Sequence, residues 1–244
     1  MLTIPKYPII LTPMSNPDSC PVLSPRDSLV LQAQKPPIIL ASASRIRLSL
    51  LCEAGLAVTA RPASIDEDEV KRSARAKGSG PDDVALLLAD LKARRIAEPG
   101  IAPQGVAPRE VDADAMVIGA DQLLVCDGQW FDKPVDMAAA RTHLLALRGR
   151  SHVLHTAVSV HRGGKMIWQH VARPQLTMRA FSDAMLDAYL AVEGEELLSS
   201  VGAYRLEGPG IQLFDSVQGE HAAILGLPVL ALLGFLRQHG ILMR

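Results

Sequence analysis

Short apolar runs that stop at small or polar residues recur along the chain, and each predicts a buried strand that opens into a loop. The run at 116–120 is followed by Asp121, and we interpret it as a central strand that this aspartate ends. The pair 123–125 and 129–131 flanks Asp127-Gly128, which favours the tight turn of a hairpin. The predicted strands are 37–41, 57–62, 116–120, 123–125, 129–131, 151–161, 165–178 and 211–217.

Segments with apolar residues at helical spacing predict helices between these strands. They are 46–54, 81–97, 136–147, a helix capped by Ser182 that runs to 191, and 226–240. The acidic residues 64–69 predict a loop, and the Pro-, Gly- and Ala-rich residues 99–113 a surface insertion. Strands that alternate with helices, together with a long hairpin, predict an α/β fold with a mixed sheet and a groove between two lobes.

Composition limits the classes of protein that the chain can represent. Residues 1–36 contain repeated prolines without a hydrophobic period, so we predict a disordered leader before a domain at 37–244. With 244 residues, of which 48% are hydrophobic, the chain can bury a sizeable core. A formal net charge of −1, with basic residues spread along the chain, predicts no stable nucleic-acid partner. No uncharged apolar run of about 18 residues occurs, so no membrane span is expected.

The three cysteines, Cys20, Cys52 and Cys126, bear on the compartment. Their number is odd, they are widely spaced, and none forms a CxxC pair, which argues against a structural zinc site. This usage is typical of a reducing environment, and we predict a cytoplasmic protein.

Polar residues follow two of the predicted strands and are expected to face each other. Ser42, Ser44 and Arg47 come after the first strand, at the start of a helix, where free N–H groups and the helix dipole favour a phosphate. Asp121 follows the central strand and could act as a general base or a metal ligand. Because ligands bind at the carboxyl ends of strands in α/β sheets, both groups point to one crevice. The simpler alternatives are ordinary helix capping by Ser44 and a turn capped by Asp121.

Other charged residues extend this candidate site. One carboxylate of the acidic run 66–69 could join Asp121 in a divalent metal site, although such runs are usually solvated surface. Lys92 and Lys133 could neutralise a phosphate chain. Lys92 lies on a predicted helix, where lysines are mostly solvent charges, whereas Lys133 lies at the end of the predicted hairpin, before Pro134. Glu207, in a glycine-flanked loop, could accept hydrogen bonds from a nucleobase, and the alternative is a turn with an incidental acid.

Taken in order, several short motifs resemble the Maf family of nucleoside triphosphate pyrophosphatases. Each motif alone is weak, but the ordered set is specific and covers about residues 37–240. The motifs are Leu40-Ala41-Ser42-Ala43-Ser44, Ile65-Asp66-Glu67, Leu88-Ala89-Asp90-Leu91-Lys92-Ala93, Ile118-Gly119-Ala120-Asp121, Lys133-Pro134, Gly149-Arg150-Ser151-His152, Gly202-Ala203-Tyr204 and Gly226-Leu227-Pro228.

The resemblance implies a house-cleaning hydrolase that splits a nucleoside triphosphate between its α and β phosphates. It implies an elongated α/β fold with a twisted sheet, related to inosine triphosphatases, and a divalent cation, Mg²⁺ or Mn²⁺. Asp121 would be the proton acceptor and, with Glu67, a metal ligand. Arg47, Lys92 and Lys133 would be catalytic, and Ser42 would bind substrate with Ser44.

Departures from the family pattern concern the base that is recognised. The family usually has proline and arginine where this chain has Arg45 and Ile46. Gln122 and Glu207 stand where members acting on dTTP and UTP have threonine and glutamine, so the chain is more similar to the branch acting on 7-methyl-GTP. Ile46, Gln122 and Glu207 are therefore expected to bind substrate, and a glutamate can accept the donors of guanine. Ser200 differs from both branches.

Two other functions remain open from the sequence. A non-catalytic nucleotide-binding regulator of cell division or septum formation would need the cations and the small residues, but not the base Asp121. Broad cleansing of noncanonical triphosphates, of the inosine type, would use the same site with another base preference. Family analogy also suggests a homodimer.

Overall fold

The computed structural model describes residues 31–98 and 111–243. The strands are β1 Ile38–Leu40, β2 Val58–Ala60, β3 Met116–Cys126, β4 Gln129–Phe131, β5 Ser151–Arg162, β6 Lys165–Ala172, β7 Gln175–Met178 and β8 Phe214–Gln218. The helices are α1 Arg45–Glu53, α2 Glu67–Ala76, α3 Pro81–Ala97, α4 Met137–Leu147, α5 Asp183–Glu193, α6 His221–Ile224 and α7 Val229–Gln238. Short 3-10 turns cover Gly194–Ser199, Val201–Ala203 and Pro209–Leu213.

The prediction of a loop at 64–69 is wrong, because α2 begins inside the acidic run. The Asp66 side chain caps the helix and accepts a hydrogen bond from the Glu69 N–H at 2.9 Å. Acidic side chains in a first turn are stabilised by the positive end of the helix dipole. The acidic run is therefore a helix N-terminus, a placement that its charge alone did not reveal.

Three predicted strands are also corrected. β3 continues five residues beyond Asp121 to Cys126, so this aspartate lies within a strand and does not end one. The predicted strand 165–178 is divided into β6 and β7 around Pro174, which has no N–H to donate to a ladder. The segment 211–217 begins as a 3-10 turn that Pro209 opens, and only its later part pairs, as β8. The last helix begins at Val229, after Pro228, and is shorter than the predicted 226–240.

The eight strands form one mixed sheet, which confirms the predicted α/β class. The order is β2-β1-β3-β5-β7-β8, with β4 paired to β3 and β6 paired to β5. β1 is parallel to both of its neighbours, and the other pairs are antiparallel. The predicted hairpin is confirmed, because Asp127 and Gly128 take φ of 49° and 77°, the left-handed conformation that this turn requires.

Two apolar cores make the two lobes, and the long strands β3 and β5 run through both. One core joins Ile38, Met116 and Val160 to the inner faces of α1 and α7. The other joins Leu124 and Leu154 to α4, α5 and the 3-10 turns. On the face of β3 that carries both cores, Gln122 lies between them. The groove predicted between the lobes therefore opens at the middle of this strand.

Gly119 sets the distance between α3 and β3. A Cβ at this position would lie 2.0 Å from the Ala89 carbonyl oxygen and 2.7 Å from the Ala93 nitrogen, which are both backbone atoms. Only glycine therefore allows this approach. Because strand residues two apart point to the same side, Asp121 also faces α3, next to the turn of the helix that carries Lys92.

The ends of the described chain bear on two further predictions. Residues 1–30 of the predicted leader and 99–110 of the predicted insertion lie outside the described residues. Of the remaining leader residues, Gln32 is buried and its side chain accepts a hydrogen bond from the Ala57 N–H at 2.8 Å. Within 31–98 and 111–243, no helix has the length and apolar character needed to cross a membrane.

Candidate active site

A gap along one edge of β3 forms the cleft. β3 pairs with β1 through Ile118 and with β4 only from Leu124 onward, so the residues between have a strand neighbour on the β5 side alone. The gap lies just beyond the carboxyl end of β1, where ligands of α/β sheets bind. A cleft of about 330 Å³ occupies it, and both Asp121 and Gln122 line this cleft.

The cleft has two ends of different composition. The charged end consists of Arg47, Glu67, Asp68, Lys71, Lys92, Asp121, Asp132 and Lys133. The loop end consists of Ser199, Ser200, Val201, Tyr204, Leu206 and Glu207. Ser44, Ile46, Gln122 and Gly226 also line the cleft. Sequence reasoning thus placed most of the charged end, although it did so one residue at a time.

A buried ion cluster forms the centre of the charged end. The Lys92 ammonium lies 2.5 Å from Asp121 Oδ1 and 2.7 Å from Glu67 Oε1. Lys92 and Asp121 are 7% and 4% exposed, whereas the Glu67 side chain is 41% exposed. Asp121 Oδ2 is buried and has no hydrogen-bond partner within the described part of the chain. Such an oxygen keeps its full capacity to accept a proton or a cation.

Arg47 joins three parts of the chain around the cleft. Its Nε donates to the Gly226 carbonyl and its Nη1 to the Ala120 carbonyl, both at 2.8 Å, and Nη1 also lies 3.4 Å from Ser42 Oγ. These bonds tie α1 to β3 and to the turn at Gly226, and they hold the guanidinium in one orientation. Burial lowers the pKa of Arg47, against the attraction of Asp121 and Glu67. The group stays charged, and Nη2 remains to donate to a ligand.

The first turn of α1 supplies the small residues at the cleft. Ser44 is the N-cap, and its Oγ accepts a hydrogen bond from the Arg47 N–H at 3.3 Å. Ordinary capping therefore holds for Ser44, which also lines the cleft. Ser42 is buried, and its Oγ accepts a hydrogen bond from the Ser44 N–H at 3.2 Å, so it supports Arg47 and the cap. Ile46 lines the cleft beside them.

Sequence reasoning missed Lys71 and Asp132. The Lys71 ammonium lies 2.6 Å from Asp132 Oδ1, and both residues line the charged end. Glu67 and Lys71 are four residues apart in α2, so they share a face of that helix. This spacing was visible in the sequence, but it places two residues on one face only in a helix, and we predicted a loop for 64–69. Asp132 immediately precedes Lys133, which the sequence did single out.

The charges of this end influence one another. Burial raises the pKa of Glu67, but Lys92, with smaller contributions from Lys71 and Lys133, brings that pKa below its ordinary value. Desolvation in the cleft and repulsion from Arg47 lower the pKa of Lys133. Lys133 makes no ion pair with any residue in the described ranges. Glu67 is therefore ionised at neutral pH, and Lys133 is the lysine left to meet an anion.

Glu207 and Gln122 present acceptors toward the loop end. Arg205 Nε donates to Glu207 Oε1 at 3.1 Å, and Arg205 is itself held by the buried Glu193 at 3.0 Å. The Gln122 amide nitrogen donates to Thr156 Oγ1 at 2.9 Å and to the Ala223 and Ile224 carbonyls at 3.0 Å. No described residue donates a hydrogen bond to the Gln122 side-chain carbonyl oxygen, so this oxygen can accept one from a ligand.

Tyr204 forms the inner wall of the loop end and rests on a buried histidine. Its hydroxyl lies 2.9 Å from His152 Nε2, and His152 Nδ1 is buried without a partner among the described residues. Burial lowers the pKa of His152 to about 4, so the ring is neutral at pH 7. Ala203, just before the tyrosine, takes a φ of 59°, a conformation that is costly for alanine and often found at functional sites.

The donor set at the charged end fits a divalent cation. Groups of three or more His, Cys, Asp or Glu side chains suited to a metal are absent from residues 31–98 and 111–243. Mg²⁺, however, is usually held by one or two carboxylates together with substrate phosphates. Glu67 and Asp121 supply such a pair of carboxylates, although Lys92 lies between them.

Comparison with known proteins identifies the family of this chain. The family described as Maf-like protein matches residues 37–239, which include both lobes and both ends of the cleft. The chain belongs to the Maf family. All the Maf-like motifs of the chain, from Leu40 to Pro228, lie inside the matched range.

Curated Maf relatives are similar along nearly their whole length. A protein of Granulibacter bethesdensis named nucleoside triphosphate pyrophosphatase is 52% identical over 202 residues, 83% of this chain and 96% of that protein. One of Rhodospirillum rubrum with the same name is 46% identical over 213 residues, 87% of this chain and 100% of that protein. One of Rhizobium meliloti named 7-methyl-GTP pyrophosphatase is 45% identical over 206 residues, 84% of this chain and 98% of that protein.

Proposed function

We propose that this protein hydrolyses a nucleoside triphosphate to the monophosphate and pyrophosphate. The observation that carries the proposal is the Asp121–Lys92–Glu67 cluster, whose Asp121–Lys92 pair is buried, at the edge of a cleft that Arg47 and Lys133 also line. Binding alone would not need a desolvated carboxylate with an unpartnered oxygen, because burying such a charge is costly. Proton abstraction uses such an oxygen, because a general base must have an acceptor within hydrogen-bond reach of the proton. The names of the relatives describe the same reaction.

In the proposed reaction Asp121 is the proton acceptor. Lys92 keeps Oδ1 engaged and stabilises the ionised carboxylate, while Oδ2 accepts the proton of the attacking water. Arg47 donates from Nη2 and Lys133 from its unpaired ammonium to the oxygens of the triphosphate, where negative charge develops. Both groups are in place before the substrate arrives, which spares reorganisation during the reaction.

A divalent cation, Mg²⁺ or Mn²⁺, completes the proposed charged end. Glu67 and Asp121 would hold it together with phosphate oxygens, as the donor set allows. When bound, it supplies a Lewis acid that withdraws charge from the phosphates. Lys92 contacts both carboxylates, so it holds the two ligands near each other in the absence of the cation.

The proposed base is guanine in its 7-methylated form. Glu207 accepts from Arg205 through Oε1 and keeps Oε2 for the N–H donors of a guanine edge. A 7-methylated guanine carries positive charge, which a carboxylate binds better than an amide does. Gln122 adds a carbonyl acceptor, fixed by its own amide bonds. The similarity to a relative named 7-methyl-GTP pyrophosphatase supports this choice.

The test is pyrophosphate release by the purified full-length protein from 7-methyl-GTP, GTP, dTTP, UTP and ITP, with Mg²⁺, with Mn²⁺ and with a chelator. We expect metal-dependent release, fastest from 7-methyl-GTP. If release were fastest from ITP, the proposed reaction would stand but the preferred base would be hypoxanthine. If release were undiminished in chelator, the reaction would not need a divalent cation. Binding of the nucleotides without any product would overturn the proposal in favour of a non-catalytic regulator.

A further inference from the structure

Lys71 occupies the charged end without a role in the reaction proposed above. Its side chain is only 13% exposed, and its ammonium lies 2.6 Å from Asp132 Oδ1. Burial alone would lower the pKa of Lys71, but the hydrogen bond to Asp132, with smaller contributions from Asp121 and Glu67, raises it. The lysine is thus charged at neutral pH and within electrostatic reach of both carboxylates at the centre of the cleft.

Asp132, the partner of Lys71, is the more solvent-exposed residue of the pair. The Asp132 side chain is 48% exposed, so water can replace the lysine at its oxygens at little cost. Lys92 differs, because both Lys92 and Asp121 are nearly inaccessible to water. Lys92 is held by two carboxylates, one of them buried, whereas Lys71 has one half-exposed partner and can therefore exchange it more readily.

The charge of the cleft also favours such an exchange. Its described lining holds four basic side chains, Arg47, Lys71, Lys92 and Lys133, and five acidic ones, Glu67, Asp68, Asp121, Asp132 and Glu207. Two of the four cations are tied to carboxylates. A triphosphate adds several negative charges to a lining that already has more acidic than basic side chains. The repulsion is reduced if the ammonium of Lys71 turns from Asp132 to a phosphate oxygen.

Resting on the proposed function, we infer that Lys71 is a further triphosphate-binding residue, held beside the cleft by Asp132 and transferred to a phosphate oxygen when substrate binds. No atom of Lys71 takes part in bond breaking. Its ammonium donates to the phosphate chain, and the Asp132 carboxylate is released to water. The same contact would hold the pyrophosphate product.

This inference predicts opposite effects for the two partners. Lys71→Met removes the donor but keeps the aliphatic stem, and it is expected to weaken pyrophosphate binding by about 10- to 100-fold, the range of a charged hydrogen bond. Asp132→Asn removes the competing charge, and it is expected to strengthen pyrophosphate binding by about two- to tenfold, as for a half-exposed ion pair. A purely structural tie between α2 and β4 would make both variants weaken binding alike, because both break the same pair.

The experiment measures pyrophosphate binding to the full-length protein by calorimetry, and KM and kcat with the preferred nucleotide. The variants are Lys71→Met, Lys71→Arg, Asp132→Asn and the double variant. Lys77→Met, an exposed lysine at the end of the same helix, is the matched control. We expect Lys71→Met to raise KM more than it lowers kcat, Lys71→Arg to restore most of the binding, and Asp132→Asn to have no effect in the Lys71→Met background.

Three results would overturn the inference. They are wild-type pyrophosphate affinity in Lys71→Met, weaker binding in Asp132→Asn, and an effect of Lys77→Met as large as that of Lys71→Met. If the wild-type protein released no pyrophosphate from any nucleotide, the proposed function would be overturned instead. The calorimetric comparison would then still decide whether Lys71 binds a polyphosphate.

Discussion

The two ends of the cleft are supported by different kinds of structure. Most side chains of the charged end project from regular elements, with Arg47 on α1, Glu67 on α2, Lys92 on α3 and Asp121 on β3. The residues of the loop end lie on or beside 3-10 turns, where Gly202 and Ala203 both have positive φ. Regular elements fix the positions of charges closely, whereas irregular turns tolerate exchange of their side chains. In the proposed reaction the chemistry would rest on the rigid frame, and the choice of base on the irregular turns.

The largest expected effect tests the chemistry of the charged end. Asp121→Asn keeps the size of the side chain but removes the proton acceptor, so kcat should fall by about 10²- to 10⁴-fold. Pyrophosphate release is the measurement, and Asp187→Asn, an exposed aspartate on α5, is the control. An Asp121→Asn protein as fast as the wild type would leave the charged end without its assigned base.

The next effect tests whether the charged end is rigid because its charges are paired. Lys92→Met leaves the buried Asp121 carboxylate without a counter-charge, and the free energy of unfolding should fall by about 3–5 kcal/mol. Urea unfolding measures this loss. Asp121→Asn in the same chain should recover part of it, because the uncompensated charge is then gone. A loss below about 1 kcal/mol, the range of exposed pairs, would show that the pair is solvated.

The third effect belongs to the loop end and depends on pH. His152 has a pKa of about 4 in the folded protein, against 6.5 for an unperturbed histidine. Between these values the unfolded chain binds more protons, so this residue lowers the stability as the pH falls from 6.5 to 4, by roughly 3 kcal/mol in total. Above pH 6.5 it contributes no slope.

Two variants measure the contribution of His152. The pH dependence of the unfolding free energy should be flatter over this window in His152→Gln than in the wild type. His170→Gln, which changes an exposed histidine, should keep the wild-type slope. Equal slopes in all three proteins would mean that His152 titrates normally and that Tyr204 does not rest on a neutral ring.

The smallest effect separates the two ends most sharply. Glu207→Gln should reduce the preference for 7-methyl-GTP over UTP by about tenfold, since a charged hydrogen bond becomes a neutral one. The rate with the poorer substrate should stay close to that of the wild type. Competition assays with both nucleotides give the ratio, and Glu195→Gln, exposed on a neighbouring turn, is the control. An equal loss with both nucleotides would place Glu207 in the chemistry instead of the base choice.

Much of the frame could be predicted from local patterns. Helix α3 has the predicted bounds, 81–97, because Pro81 opens it and its apolar spacing continues to Ala97. The Asp127-Gly128 hairpin and the Ser182 cap also depend on their own residues alone. The prediction for 165–178 failed because apolar periodicity outweighed a single proline in the pattern. The acidic run failed because charge does not distinguish a solvated loop from a helix N-terminus.

The sequence by itself determined which residues could carry charge chemistry and in what order they occur, because side-chain chemistry and short-range periodicity are local properties. Only the tertiary structure decided that Lys92 lies between Glu67 and Asp121, that Lys71 joins them, and that β3 continues past the aspartate. The contact of Lys92 with Asp121 depends on how closely α3 can approach β3, which the absence of a side chain at Gly119 permits. Such contacts join residues far apart in the chain, and no local pattern contains them.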